Sequence, residues 1–290
     1  MNKVSSRGFG YGYIGGAIPF VISIVVILLA QQGIIPISST TASKIAFLIA
    51  CIWWAIFSIP LLKNVKQIHG IKHDLKPIRT SFKRLKETVS SISQYKYLTI
   101  FLIAYFFYID GVGTIISMAT AYGTDVGVDA TVLLVVLFVT QIVAAPFALL
   151  YGRLADRFSA KLMLNVGIFV YIIVCIYGYF LETALDFWIL AMLVATSQGG
   201  MQALSRSYFA KMVPKHKSNE FFGFYNIFGK FASVSGPLLV GVTAQVTGNT
   251  NAGVLSLVVL FIVGAIVLFF VPSDKKLEQL QNDDAILKKA

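Results

Sequence analysis

Residues 131–151 read TVLLVVLFVTQIVAAPFALLY, and the residues that follow, 152–161, read GRLADRFSAK. The first stretch carries no charge over about 30 Å of helix at 1.5 Å per residue, which is the hydrocarbon thickness of a bilayer. The second is a short basic turn. This alternation recurs along the chain and decides the fold. Long apolar runs occupy 9–30, 43–62, 97–122, 131–151, 161–181, 187–210, 221–245 and 251–272. They are continuously apolar rather than alternating, so helices are expected and a transmembrane barrel is not. The fold class is therefore all-α integral membrane, with eight transmembrane helices.

Composition points the same way. The 290-residue chain is 57% hydrophobic and only 13% charged, with a mean hydropathy of +0.78. A soluble domain carries about a quarter charged residues, so this chain lacks the polar surface to face water all round. Its net charge of +11 sits in the loops between apolar runs and comes with no recognition motif, which argues against nucleic acid as a partner. With the N-terminus placed inside and the loops assigned alternately, all of the 24 basic residues except Lys44 fall on the inner side. They include Lys3 and Arg7, the cluster from Lys63 to Lys96, Arg153, Arg157 and Lys161, the group from Arg206 to Lys230, and the lysines of the tail. Both termini are thus expected in the cytoplasm. The first run follows Lys3 and Arg7, as a signal peptide would. It is long, carries no convincing small-x-small cleavage site and precedes a second span, so it reads as a membrane helix.

Other residue classes exclude alternatives. Cys51 and Cys175 lie inside apolar runs and read as small hydrophobes, while His69, His73 and His216 lie in basic loops. No metal or cofactor is expected. A membrane-embedded enzyme would need a converging nucleophile and base or a ligand set, and the spans hold no histidine, Cys–His pair or Glu-x-x-His, so no catalytic residue is assigned. Gly8, Gly12 and Gly16 repeat every four residues, a spacing that lets another helix approach closely. After two helices and a basic segment at 63–96, six helices form two triplets, 97–181 and 187–272. The second triplet enters the membrane from the opposite side, the topology of an inverted repeat.

The turn Gly152-Arg153-Leu154-Ala155-Asp156-Arg157-Phe158-Ser159-Ala160-Lys161 resembles the loop signature of the major facilitator superfamily, Gly-x-Leu-Ala-Asp-Arg-x-Gly-x-Lys. Gly152 permits a tight turn and close helix approach. Asp156 can accept hydrogen bonds from a neighbouring helix N-terminus and pair with an arginine. Arg153, Arg157 and Lys161 hold the loop in the cytoplasm. Ser159 stands where the superfamily usually has glycine, which implies a less tight turn. In that superfamily the signature lies between helices two and three and recurs between helices eight and nine. Four spans precede it here, so the resemblance implies that the eight spans correspond to helices 5–12 of a twelve-helix fold. Residues 1–62 would then be the last two helices of an incomplete N-terminal half. Residues 63–96 would be the central cytoplasmic linker, 97–272 the six-helix C-terminal half, and 273–290 a cytoplasmic tail.

Further pieces are Gly12-Tyr13-Ile14-Gly15-Gly16, Asp110-Gly111-Val112-Gly113-Thr114-Ile115, Gln202-Ala203-Leu204-Ser205-Arg206-Ser207 and Phe221-Phe222-Gly223-Phe224-Tyr225. Together they are similar to bacterial relatives of the autophagy-related vacuolar amino-acid effluxers. What this implies is a secondary transporter in a bacterial plasma membrane. It would move a small solute, with amino acids and coupled protons among the candidates, by alternating access. It also implies a second reading, a non-transporting piece that needs a separately encoded N-terminal-half chain.

Ionisable residues within spans are costly unless they face protein or water. Asp110 lies too deep for its side chain to reach either surface, and is read as a proton site, a substrate-amine contact, an interhelical pair or a structural aspartate. Arg206 lies roughly 7 Å from the cytoplasmic end of its span, and is read as a transport-path residue or as a surface arginine whose long stem snorkels out. Lys230, about 13 Å deep, is read as an anion or gate partner or a structural residue. Gln198, Gln202 and Asn226 add amides that either line a polar path or join helices. Pro146 and Gly236-Pro237 are expected to kink their helices.

Overall fold

The computed structural model describes residues 1–65, 92–214 and 218–281. Most of the basic segment expected at 63–96, together with Lys215, His216, Lys217 and the end of the tail, lies outside the described residues. The described elements are all helical: α1 (Asn2–Gln31), α2 (Ser39–Asn64), α3 (Lys96–Asp125), α4 (Ala130–Arg157), α5 (Ala160–Tyr179), α6 (Ala184–Met212), α7 (Ser218–Phe231), α8 (Ser235–Thr247), α9 (Thr250–Ser256), α10 (Val258–Phe269) and α11 (Asp274–Gln281). Eight spans are long and apolar enough to cross a membrane, α7–α8 and α9–α10 each forming one of them.

The helices begin before the apolar runs do, because polar caps fix their ends. Ser38, Asp129, Ser159, Thr183 and Asn249 each accept a first-turn backbone N–H, and Thr183 and Asp186 form a reciprocal capping box. The Thr131 N–H reaches Asp129 at 2.8 Å and holds that carboxyl below the usual range, so this cap persists until pH falls through the lowered value. Gly248, at φ 66°, closes α8 in the left-handed conformation.

Two spans are interrupted. The expected kink at Gly236-Pro237 is an open turn at residues 232–234, since Pro237 offers no N–H to the Ser233 carbonyl. The α9–α10 span breaks at Leu257, where Ser256 Oγ donates back to the Gly253 carbonyl at 2.6 Å. At Pro146, by contrast, α4 runs on without a break.

The core lies among α3, α4, α5, α6 and α10, with α6 the most deeply buried span. Rings of Phe101, Tyr105, Tyr208, Phe209 and Tyr225 pack together toward one end. α1 docks on α4 and α6, whereas α2 packs on α1 and presents Phe47, Trp54, Phe57 and Leu62 outward. Close approach of α4 to α6 depends on Gly200, where a Cβ would meet Tyr151 Cβ at 2.8 Å; Tyr151 and Ser197 share a hydrogen bond of 2.8 Å beside it. Gly199 gives the same clearance to Tyr13 of α1, at 2.8 Å, and Ala148 of α4, at 2.9 Å. We expect Gly200→Val to overpack this contact and cost about 1–3 kcal/mol, read as a lower unfolding temperature in detergent. Unchanged unfolding would show that the contact is dispensable.

Candidate functional site

Two helix faces with four-residue spacing meet across a cavity of about 750 Å³. Gln198, Gln202 and Arg206 form a polar row on α6, since residues i, i+4 and i+8 share a face. Opposite them stand Gly8, Gly12 and Gly16 of α1, flanked by Phe9 and Tyr13. The glycines therefore do something other than the helix packing read from their spacing. A Cβ at any of the three would meet nothing within 4 Å. The close approach falls to Gly10 instead, where a Cβ would lie 3.2 Å from Leu149 and 3.4 Å from the Ala145 carbonyl. One helix thus uses one glycine to dock and three to leave room.

Gln141 of α4 also lines this cavity, and its Oε1 has no hydrogen-bond partner. It is absent from the residues read from sequence, although a lone amide amid an apolar run is itself a signal. A smaller arm of about 220 Å³ shares Phe9, Gln202 and Arg206 with the main cavity and adds Tyr105, Gly113, Tyr225, Asn226 and Ser233. Arg206 is exposed within these walls, stands 5.6 Å over the Phe222 ring, and forms no ion pair among the described residues. The Tyr105 and Tyr225 rings stack at 4.4 Å along the arm. Behind Gln198 and Ile116 lies a third, apolar cavity of about 100 Å³, lined among others by Thr114, Tyr122, Phe187 and Val240.

Of the sequence candidates, Gln198, Gln202, Arg206 and Asn226 thus come together. Lys230 does not: it is exposed at the end of α7 and lines neither polar chamber. Asp110 is fully buried beside the α7–α8 break, away from Arg206's chamber walls.

The signature turn closes one end of the α1–α4–α6 contact. At Gly152 a Cβ would fall 2.6 Å from Ser6 Cβ, so only glycine admits the start of α1. Asp156 accepts from Asn2 Nδ2 at 3.1 Å and lies 3.7 Å from Lys3, so among the described residues its partners are in the first turn of α1 and none is an arginine. Asn2 in turn accepts from Ser207 at 2.8 Å, and Ser5 donates to the Ala203 carbonyl at 2.7 Å. The exposed Lys3 pair is worth little, so the buried Ser207–Asn2 and half-buried Ser5–Ala203 hydrogen bonds hold this end. Ser159 caps α5 through the Leu162 N–H at 3.0 Å, which uses the hydroxyl that glycine would lack. Lys161 donates to the Phe269 carbonyl at 2.8 Å and to that of Val271, closing the end of α10. Arg153 faces a surface cleft with Lys3 and Arg7, and Arg157 lies over Phe158.

In a Cys51→Ser background, Gly12→Cys is expected to react with a water-soluble maleimide, and Gly10→Cys to stay unreactive. Equal labelling of both would mean that α1 does not sit as described.

Comparison with known proteins gives a consistent picture. Residues 1–281 match the family described as vacuole effluxer Atg22 like. The chain is 61% identical over 285 residues to the MFS-type transporter YxiO of Bacillus subtilis (strain 168), covering 98% of this chain and 67% of that protein. It is 25% identical to autophagy-related protein 22-2 of Penicillium rubens, over 94% of this chain and 50% of the relative. Autophagy-related protein 22 of Yarrowia lipolytica is 26% identical over 90% and 48%. The chain thus spans about half the length of the fungal relatives it matches.

Proposed function

Because this chain belongs to the Atg22-like family of major-facilitator-type membrane proteins, we propose that it serves secondary active transport of a small carboxylate-bearing solute, amino acids among them. The observation that carries this reading is the facing of a polar row, Gln198–Gln202–Arg206, and a bare glycine row across one cavity inside a membrane bundle. An arginine that forms no ion pair among the described residues and is held over an aromatic ring is suited to a planar carboxylate through paired N–H donors. Gln198, Gln202, Gln141 and Asn226 supply amides that recognise polar groups without adding charge. Major-facilitator transport rocks two halves about a central site, and a cavity bounded on one side by α1 and on the other by α6 is placed for that motion.

The protein is a multi-pass membrane protein. In this proposal it sits in a bacterial plasma membrane with both termini cytoplasmic, as the basic loops favour. The six spans from α3 to α10 would form the C-terminal half, with α1 and α2 belonging to the other half. A second reading, an assembly partner that transports only with a separately encoded N-terminal-half chain, draws on α1 and α2. The glycine face of α1 is open, and α2 buries only Ala42.

Reconstituted protein, assayed with labelled amino acids, tests both. Arg206→Ala is expected to lower uptake by about tenfold or more, the loss of a charge-assisted hydrogen bond, with Arg206→Lys intermediate. Uptake indifferent to Arg206 would overturn the carboxylate assignment. No uptake by the chain alone, restored by a co-purifying membrane partner, would favour the second reading.

A further inference from the structure

Asp110 is fully buried at mid-length in α3. Its Oδ2 accepts from the Ser235 hydroxyl, across the bundle on the first residue of α8. Its Oδ1 has no partner, and neither has Thr114 Oγ1, one turn further along α3. Both oxygens border the same niche. A methyl group at Gly236 would lie 2.8 Å from Asp110 Oδ1 and would collide with Thr114 Oγ1. The niche adjoins the open turn that splits the seventh span, so the N-terminal end of α8 faces the carboxyl. Chambers lie on both sides. Thr114 lines the apolar cavity behind Gln198, while Gly113 and Ser233 line the polar arm that contains Arg206.

Among the described residues no cation pairs with Asp110; the donors that face an ionised carboxyl are the Ser235 and Thr114 hydroxyls and the Gly236 N–H at the start of α8, and burial opposes them. The helices α8, α9 and α10 that pack on this part of α3 carry no ionisable residue. α6 contributes Arg206 and Tyr208, α7 contributes Lys230 and Tyr225, and α3 itself contributes Tyr105 and Tyr108. α4 carries its charges at the Arg153–Arg157 end, remote in sequence from the core of its span. Among the described residues none of these forms an ion pair with Asp110. A carboxylate left so in a membrane interior is costly. A Thr114 hydroxyl turned toward it would satisfy both oxygens and leave the charge unmatched. One added proton does more: it removes the charge and lets Oδ1–H donate to Thr114 Oγ1. A dehydrated alkali ion would need oxygens all round it. Here the Ser235 hydrogen already points at the carboxyl, and Gly236 fills the remaining side.

We propose that Asp110 is a proton-binding site, occupied in this conformation, which exchanges with the two flanking chambers through the α7–α8 break. The step is addition of one proton to a carboxylate to give a carboxylic acid. The proton comes from water in whichever chamber is open and returns to water in the other. A coupling role for it rests on the transport reading above, but the protonation does not, and it is measured without any solute.

The test is infrared titration of the protein in liposomes between mildly acidic and alkaline pH, in sodium and in choline buffers. The expected result is a carboxylic-acid C=O band at neutral pH that Asp110→Asn removes. Ser235→Ala should keep that band and move it to higher frequency, because a hydrogen bond to the C=O is lost; this variant serves if Asp110→Asn does not fold. A spectrum with no Asp110-dependent band at any pH would overturn the proposal. A band abolished by sodium but not by choline would overturn it in favour of a metal-cation site. Failure of the Arg206 transport test with this band intact would remove the solute assignment and leave the proton site standing.

Discussion

Every backbone group inside a bilayer must find its partner within the protein, because no water is there to supply one. Most of this structure obeys by running unbroken helices across the membrane. The informative places are those where a helix stops inside or at the edge of the apolar region. At residues 232–234 the ladder lapses before Pro237, and the polar groups of Asp110, Thr114 and Ser235 collect at the gap. At the end of α10 the carbonyl of its last residue, Phe269, and that of Val271 just beyond it are taken by Lys161. The lysine of the signature turn is therefore a helix cap on a distant span as well as a basic loop residue. Asp274, at the start of α11, joins the same point by accepting from the Lys161 backbone N–H at 3.3 Å and pairing with Lys211 at 2.7 Å. Turn, sixth helix and tail thus meet where the end of the last span would otherwise leave carbonyls open.

Without a hydrophobic drive between helices in lipid, closeness comes from small residues. Gly152 admits Ser6, Gly200 admits Tyr151, Gly199 admits Tyr13, and Gly111 admits the Phe261 ring at 2.6 Å from where a Cβ would stand. These contacts bring α3 against α10, α4 against α6, and α1 against both α4 and α6. The same residue type performs the opposite task at Gly8, Gly12 and Gly16, where the missing side chains are the cavity. What distinguishes the two uses is only what stands opposite.

That explains how far the sequence could be read. The eight spans were legible because lipid demands continuous apolar length, and the capped ends were not, because a cap such as Ser38 or Asn249 acts outside the apolar run. The break at Gly236-Pro237 was legible from proline's missing N–H, whereas the one at Leu257 depends on a Ser256 back-bond that serine's presence does not dictate. For the site, the sequence marked Gln198, Gln202 and Arg206 singly, by polarity and depth, and their common face emerged only with α6 in place. The equal spacing of the α1 glycines said which residues share a face and nothing about the emptiness before it. Depth alone grouped Lys230 with Arg206, yet the azimuth of α7 turns Lys230 outward and Asn226 toward the arm. Gln141 went unseen because one amide in a long apolar run carries no periodicity.

The two deep charges that matter are held apart. Pairing Arg206 with Asp110 would have been the least costly way to keep both in a membrane, since an opposite charge offsets part of the desolvation of each. The fold does otherwise. Arg206 is exposed in the polar chambers against Phe222, while Asp110 is buried behind Thr114, Ser235 and Gly236 with no counter-charge among the described residues. An arginine in a wet chamber can stay ionised and accept a carboxylate from outside; a buried aspartate can be relieved only by something small enough to pass the packing. The separation gives each group a different partner, and the α7–α8 break, which contributes Ser233 to one and leads directly into Ser235 at the other, is the element through which a change at either is felt at both.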